Sequence, residues 1–162
     1  MKLYIGRHCY AGDPSDDPKT ERERPLLQEG KVTALAIANA MCDIGEVPNV
    51  IFCSPFQRAI MTADIYGRVF GIQVNVIGDM APVRPLEDAI ATLIGSDKLK
   101  RVMLVGHVDN TTPAMQTFES NDKWKDLVMG EVRRVNISRK DCSWSLKWGI
   151  KPSDIGRKDR KS

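Results

Sequence analysis

Histidine is scarce in this chain: among 162 residues there are two, His8 and His107. Aromatic residues are also few, at 6%, and none interleaves with a basic patch, which argues against a nucleic-acid surface. No apolar run approaches the roughly 20 residues that span a bilayer. No charged segment followed by an apolar one opens the chain, so a cytoplasmic location is the expectation. Four cysteines are present (Cys9, Cys42, Cys53 and Cys142), but no pair has metal-ligand spacing. Without a secretory signal a disulfide framework is not expected, and Cys42, Cys53 and Cys142 are read as buried reduced thiols. The net charge of +3 owes much to the last residues, Arg157-Lys158-Asp159-Arg160-Lys161. They are read as part of a basic, disordered tail over 156–162 rather than a nucleic-acid arm. Residues 1–155 are then expected to form a single domain.

The two histidines share a setting. Leu3-Tyr4-Ile5-Gly6 is a short apolar run that stops at Arg7-His8. Val102-Met103-Leu104-Val105-Gly106 is another, and it stops at His107. A buried parallel strand has this continuous apolar character. Val50-Ile51-Phe52-Cys53 reads as another strand and residues 72–77 as a third. Helical periodicity spans 29–44, with Val32, Leu35, Ala36, Ala38, Asn39 and Cys42 recurring at helical steps. A second helix is expected from Ser54 as N-cap and Pro55 in the first turn, through Arg58, Ala59, Thr62, Ala63 and Tyr66 to Gly71. A modest helix is expected over 86–94, with helix and loop over 111–130. Residues 9–23 read as a long polar loop. The alternating segments 132–137 and 144–148 suggest an edge hairpin with one wet face and Cys142 in its turn. Strands alternating with helices predict an α/β layer fold with a mostly parallel sheet.

In such sheets ligands bind at the carboxyl ends of the strands. Arg7-His8, Arg58 and His107 all fall just past strand ends, which assembles two guanidinium groups and two imidazoles into an anion pocket. A neutral imidazole can attack phosphorus and split one displacement into two. Arginine suits the charge on the equatorial oxygens, because its planar fork grips two of them and stays charged.

Four segments then carry a family likeness. They are Leu3-Tyr4-Ile5-Gly6-Arg7-His8 followed by Ala11-Gly12; Arg24-Pro25-Leu26-Leu27-Gln28-Glu29-Gly30; Ser54-Pro55-Phe56-Gln57-Arg58-Ala59 with Thr62-Ala63; and Val105-Gly106-His107. In this order and spacing the chain resembles the histidine phosphatase superfamily, the phosphoglycerate-mutase-like clan. Within it the likeness is nearest to the short SixA-type phosphohistidine phosphatases. The resemblance implies a three-layer α/β/α sandwich with a mostly parallel sheet and an antiparallel edge. It implies a hydrolase in which His8 is phosphorylated and Arg7, Arg58 and His107 bind the phosphoryl group. No metal or other cofactor is implied. Arg24 is a further phosphate-binding candidate from the second motif. Asp79 is the nearest match to the acidic proton donor that many relatives carry after the third strand.

The chain departs from the family at Cys9, where Gly or Ala is usual, at Tyr10, at Leu27 and at Val108-Asp109. The departures at Cys9, Tyr10 and Val108-Asp109 motivate an alternative: a catalytically weak phospho-ligand-binding or regulatory module of the same fold. The missing capping insertions point to an open pocket and to a phosphorylated protein side chain or small phosphoester as partner, with no nucleic acid and no membrane. A thiol nucleophile is disfavoured. Cysteine phosphatases place five residues between cysteine and arginine, whereas Cys53 and Arg58 have four between them.

Overall fold

The computed structural model describes residues 1–82, 84–118, 126–141 and 143–155. The tail at 156–162 and Cys142 lie outside them. Six strands form one sheet in the order β3-β2-β4-β1-β5-β6. They are β1 (Lys2–Arg7), β2 (Val50–Cys53), β3 (Val74–Val76), β4 (Arg101–Gly106), β5 (Val132–Ile137) and β6 (Trp144–Ile150). The first four are mutually parallel, while β5 runs antiparallel to both β1 and β6. The helices are α1 (Pro18–Glu23), α2 (Gln28–Asp43), α3 (Gln57–Phe70), α4 (Leu86–Ile94) and α5 (Val108–Phe118).

Alternation along the strands makes two cores. Tyr4, Ile51, Cys53, Met103 and Val105 pack on the α2/α3 side. Leu3, Ile5, Val102 and Leu104 pack on the α4/α5 side. Both faces of β1 and β4 are covered, so these strands are apolar without interruption. The result is the expected α/β/α sandwich.

Several local expectations need correction. The polar loop over 9–23 contains α1, capped by Asp17, whose carboxylate accepts the Thr20 N–H at 2.7 Å. Ser54 is not a helix cap; α3 starts at Gln57, and Ser54 is fully buried for another purpose. Strand β3 is shorter than 72–77. Helix α2 buries Gly30, Ala34, Ile37, Ala38 and Met41, and leaves Val32, Leu35 and Cys42 exposed. Its apolar residues offer two stripes, and the buried one carries Ile37 and Met41 beside a small residue, Gly30, where the loop after His8 presses on it: a Cβ on Gly30 would lie 2.2 Å from the Tyr10 carbonyl oxygen. Of the hairpin's two strands, β6 alone is an edge with a wet face; β5 is paired on both sides and largely buried. A bulge at Lys147, where Arg134 pairs with Trp148 but Val135 with Leu146, turns Trp148 to one core and Leu146 to the other. No helix among the described residues is long and apolar enough to cross a membrane.

Candidate active site

Strands β1 and β4 are parallel neighbours, with Arg7 opposite Gly106. The next residue on each is a histidine. The His8 N–H donates to the Gly106 carbonyl at 3.0 Å, extending the ladder by one step. The two rings therefore sit together at the carboxyl end of the sheet, with centroids 5.2 Å apart. Both residues are buried. Strand β2 ends beside them, and the turn into α3 delivers Arg58.

The protonation of His8 follows from its partners. Nδ1 lies 2.7 Å from the Cys9 carbonyl oxygen, which can only accept, so Nδ1 carries the hydrogen. Nε2 lies 3.2 Å from Nε of Arg58, whose N–H can only donate, so Nε2 holds a lone pair. Burial pulls the imidazole down from 6.5 to about 4, with Arg58, Arg7 and Arg24 reinforcing it, so the ring is neutral near pH 7.

Arg58 spends each of its nitrogens. Besides Nε on His8, Nη1 donates to the Glu21 carbonyl at 2.8 Å and Nη2 pairs with Glu21 Oε1 at 2.9 Å. Arg24 lies behind this pair. Its Nε and Nη2 bind the Glu21 carboxylate at 3.0 and 2.8 Å, and its Nη1 donates to the Ala11 and Gly12 carbonyls. The structure thus gives Arg24 to the loop rather than to direct contact with the histidines.

Among the described residues, the Arg7 side chain donates one hydrogen bond, from Nη1 to the Leu127 carbonyl at 2.8 Å. Its buried Nε has no partner among the described residues. Loop 126–131, which provides that carbonyl, is tied by the buried Glu131. The Glu131 carboxylate accepts the Val128 N–H at 2.9 Å and pairs with Arg133 at 2.7 Å, and its backbone carbonyl accepts the Arg7 N–H at 3.0 Å.

His107 bonds through Nε2 to Ser54 Oγ at 2.7 Å, while its Nδ1 is buried without a partner among the described residues. Burial, then the charges of His8, Arg58 and Arg7, take it down to about 2. Asn110 braces it: Oδ1 accepts the His107 N–H at 2.9 Å, and Nδ2 donates to the Met80 and Ala81 carbonyls. Asp79 is exposed on the short turn Gly78–Met80, and no hydrogen bond or ion pair joins it to the histidines among the described residues.

The thiols stand apart. Cys9 is fully enclosed under the loop against Thr62 and Tyr66, and burial pushes it up to about 12. Cys53 rises equally, also by burial. Neither supplies thiolate near pH 7. Among the described residues, no group of three or more His, Cys, Asp or Glu side chains could hold a metal ion.

Sequence reasoning brought His8, His107, Arg7 and Arg58 to one place. It missed Glu21, Ser54 and the Leu127 carbonyl. The three-residue spacing of Glu21 and Arg24 was the available signal for the first. A backbone carbonyl from a distant loop leaves no signal in sequence.

No protein-family model and no curated protein matches the sequence. Solved structures do match. SixA from Agrobacterium tumefaciens, a candidate phosphohistidine phosphatase, superposes with a TM-score of 0.81 over 94% of this chain and 98% of its own, at 22% identity. This chain has the histidine-phosphatase fold. A protein histidine phosphatase SixA in complex with tungstate shares that fold at a TM-score of 0.83 and 18% identity, over 95% of this chain and 99% of its own. A mycobacterial glucosyl-3-phosphoglycerate phosphatase in complex with VO3 shares it at 0.67 and 16%, over 91% and 97%. The histidine-phosphatase fold thus holds phosphatases of differing substrates at this level of likeness.

Proposed function

We propose that this chain is a phosphatase that works through a covalent phosphohistidine on His8. The observation that carries this reading is the polarised imidazole: Nδ1–H is fixed on the Cys9 carbonyl and the Nε2 lone pair faces a guanidinium. In the first step Nε2 forms a bond to phosphorus and the bond from phosphorus to the leaving group breaks. The leaving group departs with the electron pair and takes a proton from solvent. In the second step water attacks phosphorus, the P–Nε2 bond breaks, the pair returns to His8, and the water proton goes to solvent. Arg7, Arg58 and His107 surround the equatorial oxygens; the unpartnered Arg7 Nε and His107 Nδ1 are positions that such oxygens, or a proton moving to them, can use. The positive charge of the site is arginine charge, so the reading needs no metal.

The substrate in this proposal is a phosphohistidine or a small phosphoester. The stretch between β3 and β4 folds into a turn and α4, and α4 packs into the core with α5 rather than forming a separate cap. That supports an open pocket. The protein neighbours named above, SixA and a glucosyl-3-phosphoglycerate phosphatase, bracket the same range.

Single-turnover labelling with a reactive phosphodonor, quenched in alkali to preserve phosphohistidine, tests it. The expected result is label on the wild type that decays with phosphate release, and none on His8→Ala. Label that survives His8→Ala but is lost on changing a cysteine would sink the mechanism. Vanadate binding without any label would favour the binding module instead.

A further inference from the structure

We infer that Glu21 is the positioning residue of this site: it aims Arg58 at His8 Nε2, and Arg24 acts by holding Glu21 rather than by touching the phosphoryl group. This rests on the phosphatase reading for its kinetic consequence, but not for its geometry.

The guanidinium of Arg58 is planar, so fixing its two terminal nitrogens fixes where Nε points. Both are fixed by one residue, Nη1 by the Glu21 carbonyl and Nη2 by its carboxylate. The third nitrogen then falls 3.2 Å from His8 Nε2. The carboxylate is itself immobilised by four donors: two nitrogens of Arg24, one of Arg58, and the Ser15 N–H at 3.0 Å. These hydrogen bonds, that of Arg24 foremost, hold its acid well below the usual carboxylate range, at about 2.

Helix α1 has little other purpose. It buries no residue of its own. Six residues that add nothing to either core are nonetheless ordered by an Asp17 cap and laid against α3. What they deliver to the interior is Glu21. An exposed ion pair on such a helix would contribute almost nothing, but here one partner, Arg58, is 5% exposed and touches the reacting nitrogen.

The test is a double-mutant cycle with His8 phosphorylation rate and vanadate affinity as readouts. Glu21→Gln keeps the shape and removes the charge. It is expected to slow phosphorylation about 10- to 100-fold, the scale of a misplaced catalytic group, with Glu21→Asp recovering part of the loss. In an Arg58→Ala background the same change is expected to matter less than about twofold, because its target is gone. Full loss that persists in that background, or no loss in the wild type, overturns the inference. Arg24→Gln is the second variant: combined with Glu21→Gln it is expected to add nothing, and a loss larger than that of Glu21→Gln would mean that Arg24 touches the ligand. If the wild type takes no label, the phosphatase reading fails, and the cycle run on vanadate affinity alone still decides the clamp.

Discussion

Nε of Arg58 stands 3.2 Å from Nε2 of His8, the ring nitrogen that the Cys9 carbonyl leaves without a hydrogen. In the proposed reaction a donor is therefore in place at the attacking nitrogen before any phosphoryl group arrives. When the lone pair is spent on phosphorus in that step, the same N–H is next to an equatorial oxygen. Little reorganisation is required, and that is where preorganised charge gains its effect.

Arg58→Lys tests this relationship. Lysine keeps the charge but has neither the Nε donor nor the two-point hold on Glu21. Phosphorylation of His8 is expected to slow by about 100-fold, with the fold intact by circular dichroism. A rate within a few-fold of wild type would show that charge alone suffices.

The two histidines make both stability and rate depend on acid. Their folded values, about 4 for His8 and about 2 for His107, lie below the ordinary 6.5. The unfolded chain therefore takes up protons near pH 6.5 that the native state refuses. Stability is full above that value and falls as pH drops from 6.5 toward 4. Below about 4.5 Glu21 adds to the fall, since its depressed acid stabilises the fold only while ionised. Urea midpoints at pH 7, 5.5 and 4.5 are expected to decrease in that order. The acid limb of kcat/KM that belongs to His8 is expected near pH 4, once the substrate's own ionisation is divided out. A limb at 6.5 would mean a solvated imidazole.

Ser54→Ala removes the hydroxyl bonded to His107 Nε2. A loss of about tenfold in rate, or about 1.4 kcal/mol of barrier, is expected. The stability change is expected to be about 1 kcal/mol, as for one buried hydrogen bond. Kinetics and thermal melts on the same preparation separate the two.

Gly30→Ala sets two effects against each other. Alanine favours the helix by about 1 kcal/mol, but its Cβ would meet the Tyr10 backbone oxygen at 2.2 Å. Overpacking against a backbone that cannot rotate away costs about 1–3 kcal/mol. A lower urea midpoint is expected, together with slower phosphorylation, because the displaced segment begins two residues after His8. An unchanged midpoint would show that the loop yields.

The parts legible in the sequence were those set by local pattern. Continuous apolar runs marked β1 and β4 because both of their faces are covered, and the residues ending them, Arg7-His8 and His107, marked the site. The choice between the two apolar stripes of α2 was not local. Val32 and Leu35 are exposed while the face with Gly30, Ala34, Ile37, Ala38 and Met41 is buried, because the approach of Tyr10 to Gly30 is decided by another segment. Ser54 looked like a helix cap by its neighbours, and although its Oγ accepts the Phe56 N–H at 3.3 Å, its shorter contact is with His107, fifty-three positions away. Glu21 was hidden in a stretch rich in charge, where its three-residue spacing from Arg24 is the one local mark that sets it apart.

The register of β1 against β4 also sets a timetable. His8 leaves the ribosome well before the strand that places His107 beside it, which begins at Arg101, and before Leu127, whose carbonyl holds Arg7. Pairing across such separations is slow and comes late in folding. A nascent chain thus displays His8 long before it has a pocket, and its imidazole stays an ordinary one until those later segments have been made.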